Sequence, residues 1–170
     1  MAETAKDAAL AVCSCGKVEL EATGEPIMSV VCYCGSCQEG SRQMEALPDG
    51  RPTCGPDGGT PYVAYRKDRV AYPKGSELLR DLRLAEESPT RRVVAGCCNS
   101  PMFSDFEKGH WLSVYRSALR GAPPPAEMRV QTKSKPDGVE LPEDIPSHRG
   151  YPLRFVAKLL RARAAMLFGG

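Results

Sequence analysis

The chain has 170 residues, the length of one domain with appendages, and can bury about 70% of the surface that its unfolded form exposes. Twenty-three Lys and Arg against 21 Asp and Glu leave a net charge of +2, so bulk charge gives no reason to expect a nucleic-acid partner. No stretch approaches about 18 consecutive apolar residues, which excludes a membrane-spanning helix at the level of sequence.

In chain order, residues 1–10 read as a flexible lead-in. They include Glu3 and Asp7 and lack the apolar core of a secretory signal, so the expected location is the reducing cytoplasm. There, clustered cysteines serve as metal ligands or catalytic thiols more often than as disulfides. Residues 17–22 alternate polar and apolar and predict a half-buried strand, and 27–31 predict a second. Residues 48–61 hold four Pro and four Gly and predict a loop. Aromatic and β-branched residues over 62–72 predict one or two strands, and further strands are expected at 78–84, 91–94 and 110–115. Residues 121–150, with prolines at 123–125, 136, 142 and 146, predict an irregular, partly extended connector.

Residues 151–168 predict a C-terminal amphipathic helix. Leu153, Val156, Leu160, Ala164 and Leu167 fall at helical spacing and form the expected packing face, against the core or a twin subunit. Arg149, Arg154, Lys158, Arg161 and Arg163 occur with no acidic residue, so contact with an anionic membrane surface is a further reading of the same helix.

Eight cysteines stand out, seven of them in three clusters: Cys13/Cys15, Cys32/Cys34/Cys37 and Cys97/Cys98. On an extended segment a C-x-C pair presents both sulfurs on one side. In Cys34-Gly35-Ser36-Cys37 the glycine permits the tight turn of a zinc half-site. Cys32, Cys34 and Cys37 therefore offer three ligands within six residues, with no fourth cysteine or histidine nearby. Three thiolates and an open position suit a reactive zinc, whereas structural sites take four ligands. Cys13 and Cys15 make half a site and need distant partners, for which Cys97 and Cys98 are the candidates. Adjacent residues on a regular strand point to opposite faces, so both can reach one metal only if the chain turns there, as Asn99-Ser100-Pro101 suggests. Cys54, alone in the Pro/Gly loop, is not expected to be a ligand. Neither His110 nor His148 is assigned a catalytic role.

These motifs together resemble the glutathione-dependent formaldehyde-activating enzyme (GFA)/centromere protein V superfamily. The resemblance runs across about residues 11–118 and rests on Cys13-Ser14-Cys15-Gly16, Cys32-Tyr33-Cys34-Gly35-Ser36-Cys37 and Cys98-Asn99-Ser100-Pro101-Met102-Phe103. It implies a mainly β class: a β-tent zinc-binding domain of two small antiparallel sheets over residues 11–120, here followed by the connector and the helix. It also implies two zinc ions, a structural one at Cys13, Cys15 and Cys98 and a catalytic one at Cys32, Cys34 and Cys37. The implied activity is that of a carbon–sulfur lyase, joining glutathione to formaldehyde as S-hydroxymethylglutathione. The sequence departs from the pattern at Ala95, where the family has its first late cysteine, and carries Cys97 instead, as in a bacterial branch with a paired Cys-Cys. Cys97 is the expected fourth ligand of the structural zinc.

The resulting expectation is an enzyme acting on the adduct of glutathione, or another small thiol, with an aldehyde. Arg42, Arg66, Lys67 and Arg69 are candidate contacts for the substrate's carboxylates. The competing classes are a non-catalytic zinc-stabilised binding module and a thiol redox or metal-buffering protein. A homodimer is compatible with the helix.

Overall fold

The structure, a computed structural model, describes residues 8–169. It is mainly β, with two sheets and two α-helices among the described residues. The small sheet is antiparallel, in the order β1 (Ala8–Val12), β2 (Glu19–Thr23), β5 (Val70–Lys74). The large sheet contains β3 (Met28–Cys32), β4 (Thr60–Arg66), β6 (Leu79–Leu82), β7 (Thr90–Ala95), β8 (Ser100–Phe106), β9 (Trp111–Tyr115) and β10 (Met128–Val130). Its order is β10-β3-β4-β9-β8-β7-β6, antiparallel throughout except that β10 lies parallel to β3. The mainly β class, two sheets and C-terminal helix match expectation, although the larger sheet runs to seven strands and its last is parallel.

Period-two alternation divides the large sheet into two faces with different jobs. Val63, Val93, Phe103 and Val114 pack with Ala11, Leu20 and Ala22 of the small sheet in the main core. The other face carries Met28, Val30, Cys32 and Ala64, which pack with Met128 and Val130 of β10 and with Phe155. Two helices cover this second face: α1 (Gly35–Glu45), through Met44 against Val94 and Tyr115, and α2 (Leu153–Phe168), through Phe155 and Leu159.

The connector expected over 121–150 is mostly irregular, yet β10 within it is stitched to β3 in parallel register, and Arg129 fixes the following chain by donating to the carbonyl of Pro142 and pairing with Asp144 at 2.8 Å. Of the lead-in expected over 1–10, residues 1–7 lie outside the described residues, and Ala8–Leu10 already belong to β1.

The C-terminal helix forms, but it turns a different side inward from the one expected. Phe155 and Ala162 are buried, with Leu159 packed beside them, whereas Leu153 (89% exposed), Leu160 (64%) and Leu167 (67%) face outward. The helix has more than one apolar stripe, and the one that docks carries Phe155 against Met28, Val30 and Met128. Lys158 and Arg154 pair with Glu127 at 2.6 and 3.2 Å, and His110 Nε2 shares a 2.7 Å hydrogen bond with the Leu159 carbonyl. Among the described residues no helix is long and apolar enough to cross a membrane.

Candidate metal centres and the adjoining cavity

The first cluster joins both ends of the main core. Cys13 and Cys15 sit in the tight turn after β1, where Gly16 takes φ +75° and its N–H donates to the Cys13 carbonyl. Cys97 and Cys98 lie in the turn between β7 and β8, closed by Cys98 N–H to the Ala95 carbonyl at 3.1 Å and by Asn99 at φ +52°. The chain turns at the paired cysteines, which lets adjacent residues direct both sulfurs to one place. All four sulfurs lie within 4.8 Å of one another. The separations are 3.6 Å for Cys13–Cys15, 3.9 Å for Cys13–Cys97, 3.3 Å for Cys15–Cys97 and 3.9 Å for Cys97–Cys98.

These distances discriminate between chemistries. A disulfide needs about 2.05 Å, and all eight cysteines are free. Four sulfurs around a tetrahedral zinc, at about 2.3 Å from the metal, stand about 3.8 Å apart. The cluster therefore fits a four-coordinate thiophilic cation. Ser100 Oγ lies 3.1 Å from Cys98 Sγ and 2.7 Å from Ser14 Oγ, tying the two turns together. Burial opposes ionisation of Cys98, but hydrogen bonds from Ser100 and Ser14 win and lower its pKa. Burial, with Cys15 and Cys13 adding to it, raises that of Cys97.

The second cluster is built at a strand-to-helix junction. Cys32 closes β3, Cys34 is the N-cap of α1 and Cys37 lies in its first turn, and the three sulfurs are also within 4.8 Å of one another. Cys34 Sγ does the work that a Ser or Asp oxygen does at most N-caps, accepting the Cys37 N–H at 3.4 Å. The first turn of α1 carries no acidic residue, so the positive end of the helix dipole acts on sulfur alone. Hydrogen bonds from Cys32, then Cys37, hold the Cys34 thiol far below its ordinary value, with Ser36 Oγ adding a contact at 3.2 Å. The same contacts raise the other two: Cys34 chiefly raises Cys32, and Cys32 chiefly raises Cys37. Three thiols sharing a site cannot all ionise unaided, which is what a bound cation would relieve.

Unlike the first cluster, this one faces a cavity of about 400 Å³. Its floor is the helix-covered face of the large sheet, with Tyr62 and Tyr115 side by side in register. Phe106 and Trp111, whose rings lie 6.0 Å apart, form one wall, and Phe155 of α2 with Tyr151 just before that helix, at 4.7 Å, form the other. Burial, with the neighbouring cysteines adding to it, pushes the pKa of both Tyr62 and Tyr115 up, so both hydroxyls keep their protons.

One charged side chain lines this cavity, Arg92 of β7, which is 3% exposed. Its Nη2 donates to the Ser36 carbonyl, between two of the cysteines, at 2.7 Å. Gly40 of α1 makes room for it, since a Cβ there would overlap the Nε and Cδ of Arg92. The four cations suggested by sequence lie elsewhere: Arg42 pairs with Glu39, Arg66 with Asp68 and Lys67 with Asp105, while Arg69 lies in the 3-10 turn after β4, where its carbonyl accepts from Thr23 Oγ1, and none lines the cavity. Cys54 stands outside both clusters, its sulfur 3.1 Å from Thr60 Oγ1.

Over residues 9–47 the chain matches the family model of the glutathione-dependent formaldehyde-activating enzyme. The GFA resemblance is borne out over this segment. The matched segment of this GFA-like chain runs from β1 to the end of α1 and contains the first two cysteine motifs, whereas Cys97 and Cys98 lie beyond it. No curated protein matches the chain. Among solved structures, that of a Rhodobacter sphaeroides protein aligns at 18% identity and a TM-score of 0.47, covering 68% of this chain and 91% of that one.

Proposed function

We propose that the chain is a zinc-dependent carbon–sulfur lyase that forms or cleaves the adduct of a small thiol with an aldehyde. Cys13, Cys15, Cys97 and Cys98 hold a structural zinc, and Cys32, Cys34 and Cys37 hold the catalytic one. The observation that carries this reading is the contrast between the clusters: four sulfurs close around one point, while three sulfurs border a large cavity. When bound, zinc on the trio lowers the pKa of a substrate thiol and polarises a carbonyl oxygen.

The chain's own residues supply the setting. The N-cap geometry of Cys34 and Cys37 fixes two sulfurs relative to the helix axis. The aromatic walls from β8, β9 and α2 exclude water from the reacting centre. In the forward direction the substrate thiol gives up its proton and its sulfur adds to the aldehyde carbon; the carbon–oxygen π bond breaks as the carbon–sulfur bond forms, and the oxygen takes up a proton in place of the one the thiol released. In this reading the Tyr62 hydroxyl, from a residue that lines the cavity, donates a hydrogen bond to that oxygen.

The test is elemental analysis of zinc together with exchange spectroscopy of adduct formation from formaldehyde with glutathione and with a smaller aryl thiol acid, on wild type and Cys34→Ser. Two zinc ions per wild-type chain, with one zinc and the rate enhancement both lost in the variant, support the reading. Full zinc occupancy without any rate enhancement for thiol–aldehyde adducts overturns it in favour of a binding module. Zinc release on reversible oxidation of the trio identifies a redox or metal-buffering protein instead.

A further inference from the structure

Arg92 holds an unusual position. It is 3% exposed on the floor of an aromatic cavity, and its Nη1 has no hydrogen-bond partner among the described residues. Its neighbour Arg91 points to the opposite side of β7 and pairs with both Asp81 and Asp105. No carboxylate among the described residues pairs with Arg92. A guanidinium withdrawn from water is costly unless an anion meets it. The fold nevertheless makes space for it by placing Gly40 mid-helix, where Gly is about 1 kcal/mol less favourable than Ala.

We propose that Arg92 is the substrate's anion anchor, and that the substrate is a thiol with a single carboxylate and an apolar, preferably aromatic, body. This rests on the lyase reading of the adjoining trio and narrows it. The Ser36 carbonyl holds one guanidinium nitrogen and leaves the other to receive a carboxylate oxygen. The same bond places the anchor beside the cysteine loop, so one molecule can reach both. The remaining walls, among them Phe106, Trp111, Tyr151 and Phe155, offer apolar and aromatic surface. Glutathione suits this lining poorly. It brings two carboxylates and an ammonium, while among the described residues the cavity presents one guanidinium and no acid. Two of glutathione's three charges would lose water without gaining a partner.

Calorimetric titration of the zinc-loaded full chain tests this with two matched pairs of probes. 3-Phenylpropanoate and 3-phenylpropanamide report on the anchor without sulfur. 2-Sulfanyl-3-phenylpropanoate and its carboxamide add the thiol. In wild type each acid is expected to bind at least about tenfold more tightly than its amide, the scale of a charged hydrogen bond. In Arg92→Met the preference disappears while zinc content and amide binding persist. In Arg92→Lys, which keeps the charge but not the fork, part of the preference returns. The sulfanyl acid is expected to bind more tightly than glutathione. Equal binding of acid and amide by wild type overturns the proposal and needs no variant to show it. So does a preference that survives in Arg92→Met. If the acid preference holds but the thiol adds nothing, the anchor stands and the zinc-centred lyase reading fails. If the thiol adds affinity without any acid preference, the lyase reading stands and the anchor fails.

Discussion

Loss of one ligand should cost very different amounts at the two cysteine clusters. Cys15 is exposed, so Cys15→Ser removes a sulfur with little loss of packing. That sulfur lies 3.3 Å from Cys97, 82 residues away in sequence. A cross-link of that span withdraws about 4.5 kcal/mol of entropy from the denatured chain, the largest effect that losing the metal clip should have. For a chain of this size each kcal/mol moves Tm by about 2–4 °C, so the melting temperature should fall by about 9–18 °C. The trio spans only positions 32 to 37, and the same relation gives about 2 kcal/mol, or about 4–8 °C, for Cys34→Ser. The assay is thermal unfolding followed by circular dichroism on zinc-loaded protein, with zinc measured for each variant. If each variant loses one zinc and Cys34→Ser melts as low as Cys15→Ser, the reasoning from loop span is wrong.

Phe155→Ala should cost about 3 kcal/mol, because the side chain is 7% exposed and wedged against Met28, Val30 and Met128. Urea denaturation at constant m-value reads the loss, and zinc content should not change. Gly40→Ala should leave the helix intact or slightly favoured while its new methyl group displaces Arg92. Circular dichroism should then show unchanged helicity, and calorimetry should show the acid-over-amide preference of the cavity falling to near unity.

The cysteines were the most legible part of the sequence, because C-x-C and C-x-x-C spacing specifies local sulfur geometry wherever the backbone is extended or turning. Their convergence across the fold is a different matter. It depends on the β7–β8 turn, for which Asn99-Ser100-Pro101 was the only local sign. Strands β2 to β4, β6, β7 and β9 were visible through alternation and β-branched content. Strand β1 was not, since Ala8-Ala9-Leu10-Ala11 has weak strand preference and gains its order by pairing with β2. Strand β8 contains Pro101 and Asp105, and its acid is tolerated because Lys67 and Arg91 meet it at 2.7 and 2.9 Å. Helix α1 was read only as a turn: Gly35, Ser36, Gly40 and Ser41 are poor helix formers, and Met44 is its one buried large apolar residue. Arg92 has no partner nearby in sequence that would mark it as a site residue. Two adjacent arginines within a strand were nevertheless a signal, because alternation sends one of them to each face and only one face can be wet.

The cavity draws its floor and its outer wall from parts of the chain with separate duties. Cys32 and Arg92 belong to the sheet, which also carries the main core, so changes there disturb folding and reactivity at once. Phe155 belongs to α2 and Tyr151 to the chain that leads into it, and the helix is anchored by Glu127, His110 and a few apolar contacts. Exchanging residues along that single helix would reshape what the site admits while the sulfurs stay where they are. Evolution, or a protein engineer, can therefore alter substrate preference in such a molecule without rebuilding its chemistry.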